Sequence, residues 1–376
     1  MKLSDRIQSI EESKTVQFSS LIHNLRKQGK AVIDFAVGEP GFDPPQEVID
    51  STKEALDAQK TRYGPVAGLP ELKAKLAGAF EGYGEENIIL SNGSKQSLYS
   101  IFQAICDPDD EVIIPRPFWV SFSQQVKLAG AKPVFVDTKR HQLDVEEIEQ
   151  AVNKRTRAIV INTPNNPTGA VYPKKILETV AGLALEHDLF IVSDESYNFF
   201  VYDGIESESI FSFKAVRDRT LVTRSFSKSF SMTGFRIGYV AASEDIIKGL
   251  AKLQGHLSGN VCTFAQYGAL AAVSLNNDFI VQWRYQLQRR RDIAYEYVSK
   301  LFDCIRPQGA FYVFPDISKH LKSGETSEDF AAKILTHTGV AVVPGEAFGI
   351  PNHIRISYAV PEILLIKGFR KIAEVL

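Results

Sequence analysis

A lone lysine is enclosed by serines and aromatic residues in the segment Ser225-Phe226-Ser227-Lys228-Ser229-Phe230-Ser231-Met232-Thr233-Gly234-Phe235-Arg236. The short apolar run before this segment, residues 220–223, predicts a buried strand. Hydroxyl and aromatic neighbours indicate that Lys228 is withdrawn from water. Burial disfavours the charged form of an amine and lowers its pKa, which leaves a nucleophile. The alternative is a plain surface turn with a solvated lysine, and the segment taken alone favours neither.

Two further residues of this segment suggest what the lysine binds. Ser225 and Arg236 flank it with a hydroxyl donor and a planar cation, a pair suited to phosphate. A desolvated amine attacks a carbonyl carbon to form a Schiff base. An aldehyde that also carries phosphate is pyridoxal phosphate, a cofactor held through a lysine Schiff base. The segment therefore predicts a pyridoxal phosphate site.

The composition is that of an ordinary globular protein. The chain has 376 residues, of which 44% are hydrophobic and 23% are charged, and its net charge is −2. This charge gives no electrostatic reason to expect a nucleic-acid or membrane partner. The three cysteines are far apart, show no metal-ligand spacing and fit a reducing compartment. No apolar stretch is long enough to span a bilayer, and the first residues carry charges where a signal peptide needs an apolar run. We expect a cytoplasmic protein.

Short apolar runs alternate with helical patterns from Asn87 onward. They lie at residues 88–90, 111–114, 133–136, 158–161, 190–192, 220–223 and 238–241. Short apolar strands joined by helices predict a mainly parallel seven-stranded sheet covered on both faces, an α/β fold. After Ser243, a long helical pattern at 278–301 and apolar runs at 309–314 and 354–357 predict a smaller α+β domain. We assign 46–277 to a large domain, and 1–45 with 278–376 to a small one.

Ligands of such sheets bind beyond the carboxyl ends of the strands, so the residues that follow each run are candidates. Ser94 opens a helix, and helix starts attract phosphate through their backbone donors. A plain serine cap fits the same position. Trp119 is suited to stacking on a flat heteroaromatic ring, and lining the core is an equal alternative.

Two more strand ends carry polar residues. Asn166 offers an amide within a rigid polar stretch, residues 162–169. Asp194 follows a central run, where a carboxylate is costly unless it is paired. A protonated pyridine nitrogen would pair with it, and Tyr197 would hydrogen-bond the phenolic oxygen of the same ring. The alternative for Asp194 is a helix N-cap.

The candidate residues, taken together in their order along the chain, resemble those of the class I and II aminotransferases of fold type I. Among these enzymes, the chain resembles the Thermus-type bacterial aspartate aminotransferases. These are pyridoxal phosphate enzymes, and the resemblance runs essentially end to end. The motifs that carry it are Val37-Gly38-Glu39-Pro40, residues 91–96, Asn165-Asn166-Pro167-Thr168-Gly169, Asp194-Glu195-Ser196-Tyr197, Ser227-Lys228 with Arg236, and Arg355-Ile356-Ser357.

The resemblance implies a role for each residue around the cofactor ring. Lys228 resembles the lysine that binds the cofactor aldehyde and later moves the substrate proton. Asp194 resembles the partner of the ring nitrogen, and Tyr197 and Asn166 resemble the residues that hold the ring oxygen. Trp119 resembles the residue that stacks on the ring.

The phosphate has its own set of residues by the same resemblance. Ser94, the backbone of Lys95, Ser225 and Arg236 resemble the residues that cradle it. Tyr63 resembles a tyrosine that reaches the phosphate of the neighbouring subunit. The resemblance therefore implies a homodimer with shared active sites.

The implied substrates are amino acids and 2-oxo acids. Arg355 resembles the clamp for the substrate α-carboxylate, and Gly38 resembles the position whose backbone closes over the substrate. Trp119 and Asn166 also resemble substrate contacts. The side chain of Lys95 resembles the cation that meets a distal carboxylate, with a solvated residue at a helix start as the alternative.

We therefore expect transamination between L-aspartate and 2-oxoglutarate in a ping-pong cycle. The alternatives are aromatic amino acids, alanine or prephenate as substrates, a β-eliminating lyase, and a non-catalytic protein that binds pyridoxal phosphate. The chain departs from its relatives in two places. Some relatives that also transaminate prephenate have a lysine near the position of Glu11, and Ser196 stands where relatives usually have an aliphatic residue, which we interpret as a minor packing change.

Overall fold

The computed structural model describes residues 2–12 and 14–376. Its helices are α1 Asp5–Gln8, α2 Lys14–Lys27, α3 Gln46–Asp57, α4 Pro70–Ala77, α5 Ser94–Ile105, α6 Ser121–Leu128, α7 Val145–Ala151, α8 Lys174–Glu186, α9 Phe226–Ser229, α10 Glu244–Leu257, α11 Thr263–Ala272, α12 Asp278–Leu301, α13 Ser327–Thr338 and α14 Glu362–Ala373. Among these residues, none of the helices combines the length and apolar character needed to cross a membrane.

The strands of the described residues form one large and two small sheets. They are β1 Ile33–Asp34, β2 Ile88–Ser91, β3 Glu111–Arg116, β4 Lys132–Lys139, β5 Gln142–Leu143, β6 Thr156–Asn162, β7 Phe190–Asp194, β8 Thr220–Ser225, β9 Gly238–Ala241, β10 Tyr312–Val313, β11 Val340–Ala341, β12 Val343–Pro344 and β13 Ile354–Ser357.

The large sheet has the strand order β2-β9-β8-β7-β6-β3-β4-β5. Strands β8, β7, β6, β3 and β4 pair in parallel, whereas β9 runs antiparallel to both of its neighbours. The seven apolar runs of the sequence all form strands of this sheet, which confirms the mainly parallel α/β architecture.

An eighth strand, β5, extends the large sheet at one edge. It pairs antiparallel with β4 through a tight turn at Arg140 and His141, whose φ angles are 51° and 64°. Turns of this kind favour glycine, asparagine or aspartate, because both central residues need positive φ. This turn contains none of them, so the sequence carries no usual signal for the hairpin.

Side chains of the central strands alternate between two apolar layers. On β3, Val112 and Ile114 belong to a cluster with helix α5, whereas Ile113 belongs to the opposite cluster with helix α8. Helix α5 contributes Leu98 and Ile101 among its buried residues, at the spacing of one helical face. Helices therefore cover both faces of the sheet, and its carboxyl edge is left for the loops.

A smaller unit packs beside this edge. Strands β10, β13 and β12 form an antiparallel sheet, and β1 pairs in parallel with β11. Helices α12, α13 and α14 cover these strands with apolar side chains such as Leu287, Phe330 and Phe369. Helix α12 spans the residues that the sequence pattern predicted. The antiparallel sheet brings Arg355 of β13 toward the large sheet.

Candidate active site

A cavity of about 400 Å³ lies between the carboxyl edge of the large sheet and the small antiparallel sheet. It contains nearly all of the site residues that the sequence predicted. Its lining residues are Ala36, Gly38, Ser94, Lys95, Trp119, Asn162, Asn166, Asp194, Ser196, Tyr197, Ser225, Ser227, Lys228, Arg236, Tyr312 and Arg355.

Strand register explains why residues so distant in sequence meet in this cavity. Asn162 at the end of β6 is the pairing partner of Asp194 at the end of β7. Ser225 at the end of β8 pairs with Gly238, the first residue of the antiparallel strand β9. Because β9 runs the other way, the residues that precede it also reach this edge, and Arg236 is one of them.

Lys228 lies in the one-turn helix α9 directly after β8. Ser225 caps this helix, since its hydroxyl accepts a hydrogen bond from the backbone N–H of Ser227 at 3.1 Å. The Lys228 Nζ donates to the carbonyl oxygen of Gly38 at 2.5 Å. Burial lowers the pKa of the Lys228 amine to about 8, and the nearby carboxylate of Glu39 opposes this effect. The lysine therefore faces the cavity and is not part of a solvated surface turn.

Asp194 is buried, with 5% of its surface exposed. The backbone N–H and the hydroxyl of Ser196 donate to its Oδ1 at 3.0 and 2.6 Å. Burial raises the pKa of Asp194 to about 6, while both Ser196 hydrogen bonds pull that pKa down. A turn follows this residue, so Asp194 does not cap a helix.

Three residues form a hydrogen-bonded chain across the middle of the cavity. The Asn166 amide donates to the Tyr197 hydroxyl at 3.3 Å, and that hydroxyl lies 3.1 Å from the hydroxyl of Tyr312. Burial raises the pKa of both tyrosines above the usual value, and the pKa of Tyr197 is raised well above it. Both phenols therefore keep their protons at neutral pH, and one of them donates to the other.

Arg355 is buried at the opposite wall, with 3% of its surface exposed. It donates to Asn166 Oδ1 at 3.0 Å and to the carbonyl oxygen of Ala36 at 2.9 Å. Its guanidinium lies over the rings of Tyr312 and Phe348, at 4.4 and 5.1 Å from the centroids. None of the described residues provides a hydrogen-bond partner for the buried Nε of Arg355. A carboxylate is the kind of group that a planar guanidinium binds.

The end of the cavity at the start of α5 depends on two glycines. A Cβ on Gly93 would lie 2.5 Å from Nη2 of Arg236, and a Cβ on Gly238 would lie 2.4 Å from the backbone nitrogen of Ser94. Arg236 itself adopts a left-handed conformation, with φ of 55°. The two glycines thus allow Arg236 and the start of α5 to pack closely, and Ser94, Ser225 and Arg236 line this end of the cavity. This donor set fits a phosphate.

Trp119 and Lys95 lie beside each other at the rim. The Lys95 ammonium lies 5.2 Å from the centre of the indole ring, and the indole packs edge-on against Phe122. Trp119 thus lines the cavity and also packs against the core. Burial lowers the pKa of Lys95, and the charge of Arg236 lowers it further.

Tyr63 is the one predicted site residue outside this cavity. Its side chain is 97% exposed. Conversely, Ala36, Asn162, Ser196, Ser227 and Tyr312 line the cavity although the sequence did not single them out as site residues. The interpretation of Ser196 as a minor packing change is wrong, since its hydroxyl hydrogen-bonds to Asp194. For Tyr312 a signal existed, because its run at 309–314 is predicted to be a strand of the same smaller domain as Arg355.

A buried ion pair fixes the strand ends under the cavity. Arg224 donates to Oε2 of Glu195 through Nε at 3.0 Å and Nη2 at 2.8 Å, and 3% of Glu195 is exposed. The Ser193 hydroxyl donates to the other carboxylate oxygen at 3.1 Å. The pair joins β8 to the residue after Asp194, so it stabilises the relative position of both strand ends.

Comparison with known proteins gives the family. The model of the family "Aminotransferase class I and II" matches residues 30–366. A probable aspartate/prephenate aminotransferase of Aquifex aeolicus is 41% identical over 387 residues, which cover 100% of this chain and 98% of that protein. The aspartate aminotransferase of Bacillus subtilis is 38% identical over 385 residues, 99% of this chain and 98% of that protein.

A solved structure agrees with the sequence comparison. Aspartate aminotransferase from Thermus thermophilus with maleate superposes with a TM-score of 0.96 at 39% identity, covering 100% of both chains. The matched length, the fold and the cavity at the sheet edge lead to one conclusion. The chain belongs to the class I and II aminotransferases.

Proposed function

We propose that this aminotransferase exchanges amino groups between L-aspartate and 2-oxoglutarate in a ping-pong cycle, with pyridoxal phosphate as its cofactor. One observation carries the proposal. A single cavity combines a desolvated amine, a buried carboxylate, a phosphate cradle and a buried guanidinium, contributed by Lys228, Asp194, Arg236 and Arg355 with their neighbours. The first three suit the cofactor and the fourth suits an amino-acid carboxylate.

The donor set supports pyridoxal phosphate. Ser94, the Lys95 backbone, Ser225 and Arg236 would hold its phosphate, and Trp119 would stack on its ring. When bound, the cofactor supplies an aldehyde that condenses with amines and a ring that accepts electrons from the substrate carbon. Asp194 would keep the ring nitrogen protonated, since a buried carboxylate is stabilised by a cationic partner. The amide of Asn166 and the hydroxyl of Tyr197 would hold the ring oxygen.

Lys228 is the proposed acid and base. With a pKa near neutrality, its amine both accepts and releases a proton under working conditions. It would take the proton from the substrate Cα and deliver it to C4′ of the cofactor. The carbonyl oxygen of Gly38, to which Nζ donates, would orient the amine and close over the substrate.

Acidic substrates are supported by two cations that line the same cavity. Arg355 would bind the α-carboxylate in two hydrogen bonds, next to Asn166 and Trp119, and Lys95 would meet the distal carboxylate. The names of the relatives agree with this choice, and the Thermus protein was solved with maleate, which is a dicarboxylate. A cavity with only the first cation would not distinguish aspartate from alanine.

We further propose that residues 46–277 form a large domain, and that 1–45 with 278–376 form a small domain that closes over the substrate and excludes water. The exposed side chain of Tyr63 supports a homodimer in which this tyrosine reaches the phosphate of the neighbouring subunit. We place the protein in the cytoplasm, in accord with its three unpaired cysteines.

Prephenate is a second candidate substrate. The Aquifex relative, and a Thermus thermophilus relative 39% identical to this chain, carry the name aspartate/prephenate aminotransferase. Against it stands Glu11, where some prephenate-using relatives have a lysine nearby. The nearby Lys14 is engaged elsewhere, since its Nζ lies 2.6 Å from Oε1 of Glu328.

A half-reaction assay tests the proposal. The protein loaded with pyridoxal phosphate is mixed in turn with aspartate, phenylalanine, alanine and the amino product of prephenate, and conversion to pyridoxamine phosphate is followed by absorbance. We expect the largest rate constant with aspartate. A preference for phenylalanine of about tenfold or more in kcat/KM would assign an aromatic specificity instead.

Two other outcomes would exclude transamination. Release of pyruvate or ammonia without an added 2-oxo acid would indicate a β-eliminating lyase. Cofactor binding without any conversion by any donor would indicate a non-catalytic protein that binds pyridoxal phosphate.

A further inference from the structure

We infer that Ser196 is a positioning residue, which orients the carboxylate of Asp194 so that one oxygen, Oδ2, faces the ring nitrogen of the cofactor. The inference deepens the proposed function and rests on it. Ser196 does not touch the substrate in this assignment. It acts through Asp194.

The hydrogen bonds of Asp194 are unequally distributed between its two oxygens. In the described part of the chain, the carboxylate accepts hydrogen bonds only at Oδ1, from the backbone N–H and the hydroxyl of Ser196. A carboxylate with both donors on one oxygen has its plane fixed and its other oxygen free. Since Asp194 lines the cavity, Oδ2 is the oxygen available to a ligand.

The hydroxyl of Ser196 has a second neighbour that tests this interpretation. Its Oγ lies 3.3 Å from Oγ of Ser94, the first residue of α5, compared with 2.6 Å from Asp194. A hydroxyl has one proton, and a bond to an ionised acceptor is the stronger one. The proton of Ser196 therefore goes to Asp194.

The electrostatic consequence follows from the burial of the site. Ser196 and Asp194 are 6% and 5% exposed, so water does not easily replace a lost donor. Burial favours the neutral form of the Asp194 carboxyl, whereas the hydrogen bonds from Ser196 favour its ionised form. A variant without the hydroxyl would pair less strongly with a cationic ring nitrogen.

The test compares two cofactors on the full-length apoprotein. The first is pyridoxal phosphate. The second is its 1-deaza analogue, which keeps the aldehyde, the phosphate and the phenol but has C–H in place of the ring nitrogen. Dissociation constants are measured by equilibrium dialysis. We expect Ser196→Ala to weaken pyridoxal phosphate binding about tenfold, the usual scale for one hydrogen bond to a charged group, and to change the analogue by less than about twofold.

Two variants complete the design. Ser196→Thr keeps a hydroxyl and should restore most of the preference for pyridoxal phosphate over the analogue. Ser193→Ala is the matched control, because Ser193 is also a buried serine that donates to a carboxylate at the end of β7, but its acceptor is Glu195 and it is not among the lining residues of the cavity. It should leave the preference unchanged.

Three results would overturn the inference. Equal losses for both cofactors in Ser196→Ala would assign Ser196 to general packing, and no loss for pyridoxal phosphate would remove it from any role. A lost preference in Ser193→Ala would show that any buried serine near the end of β7 has the same effect. Failure of the proposed function is recognised separately, because the half-reaction assay on the unmodified protein reports it, and a protein without a pyridoxal phosphate site would bind neither cofactor.

Discussion

The two walls of the cavity are built in different ways. The wall at the large sheet consists of strand ends, and main-chain pairing of β6, β7 and β8 sets the positions of Asp194 and of the segment that carries Lys228. The wall at the small sheet presents Arg355, which side chains and one carbonyl from distant segments hold in place. The first wall carries the amine of Lys228 and the carboxyl of Asp194, whose pKa values burial shifts toward neutrality, and the second wall carries a fixed cation.

The first wall is therefore suited to the chemical step, and the second wall is suited to binding a carboxylate. Burial at the first wall brings the pKa of the Lys228 amine down and that of the Asp194 carboxyl up, so both groups are suited to proton and charge transfer. At the second wall the guanidinium provides direction and charge for a carboxylate. Asn166 joins the two walls, because it accepts from Arg355 and donates to Tyr197. Substitutions on the two walls should therefore have distinguishable effects on the kinetics.

The largest effect is expected at Lys228. Lys228→Ala removes the only amine that hydrogen-bonds to Gly38 in the described part of the cavity, and kcat for transamination should fall by about 10⁴-fold or more. The cofactor should remain bound without a covalent link. Cofactor stoichiometry, borohydride fixation and steady-state rates measure these effects, and near-normal turnover would remove Lys228 from the catalytic role.

Asp194→Ala should have the next largest effect. Without the carboxylate the ring nitrogen loses its anionic partner, so kcat should fall by about 10³-fold. The loss should persist at cofactor concentrations that saturate the variant. If saturation restores kcat, Asp194 serves cofactor affinity alone.

On the recognition wall, Arg355→Ala should lower kcat/KM by about 10²-fold for every amino acid, because all of them share the α-carboxylate. Arg355→Lys keeps the charge but not the planar fork and should recover only part of the loss. Kinetics with aspartate and alanine provide the measurement. A loss confined to aspartate would contradict the assignment of Arg355.

Lys95→Ala should have a smaller and selective effect. We expect kcat/KM for aspartate to fall about tenfold while alanine is unaffected, since only aspartate has a distal carboxylate to pair with an ammonium at the rim. Equal losses for both substrates would assign Lys95 to the phosphate site or to the helix start.

The smallest effect concerns pH. Lys228 must be neutral to attack an aldehyde, and the neutral fraction rises as the pH rises through its pKa of about 8. The rate of covalent cofactor attachment to the apoprotein should therefore rise only about threefold from pH 7.5 to 8.5 and then level off. An amine with an unshifted pKa would gain about tenfold over this interval without levelling off. Stopped-flow absorbance distinguishes the two.

Much of this molecule could be predicted from local pattern. Apolar runs bounded by turn residues gave the strands, because burial on both faces requires continuous apolar sequence. The last residues of those runs gave the candidate site, because parallel strands end at one edge. The β4–β5 hairpin could not be found in this way, since its turn at Arg140 and His141 has no residue typical of positive φ.

By itself the sequence determined the α/β architecture, the edge at which a ligand would bind and the residue types available there, because strand periodicity and strand ends are local properties. The tertiary structure decided which oxygen of Asp194 is free, that Ser196 is a donor to it, and that Tyr312 joins Tyr197 to Arg355. These features depend on angles and distances between segments that are far apart in the chain or on a side chain's rotamer, and no spacing in the sequence encodes them.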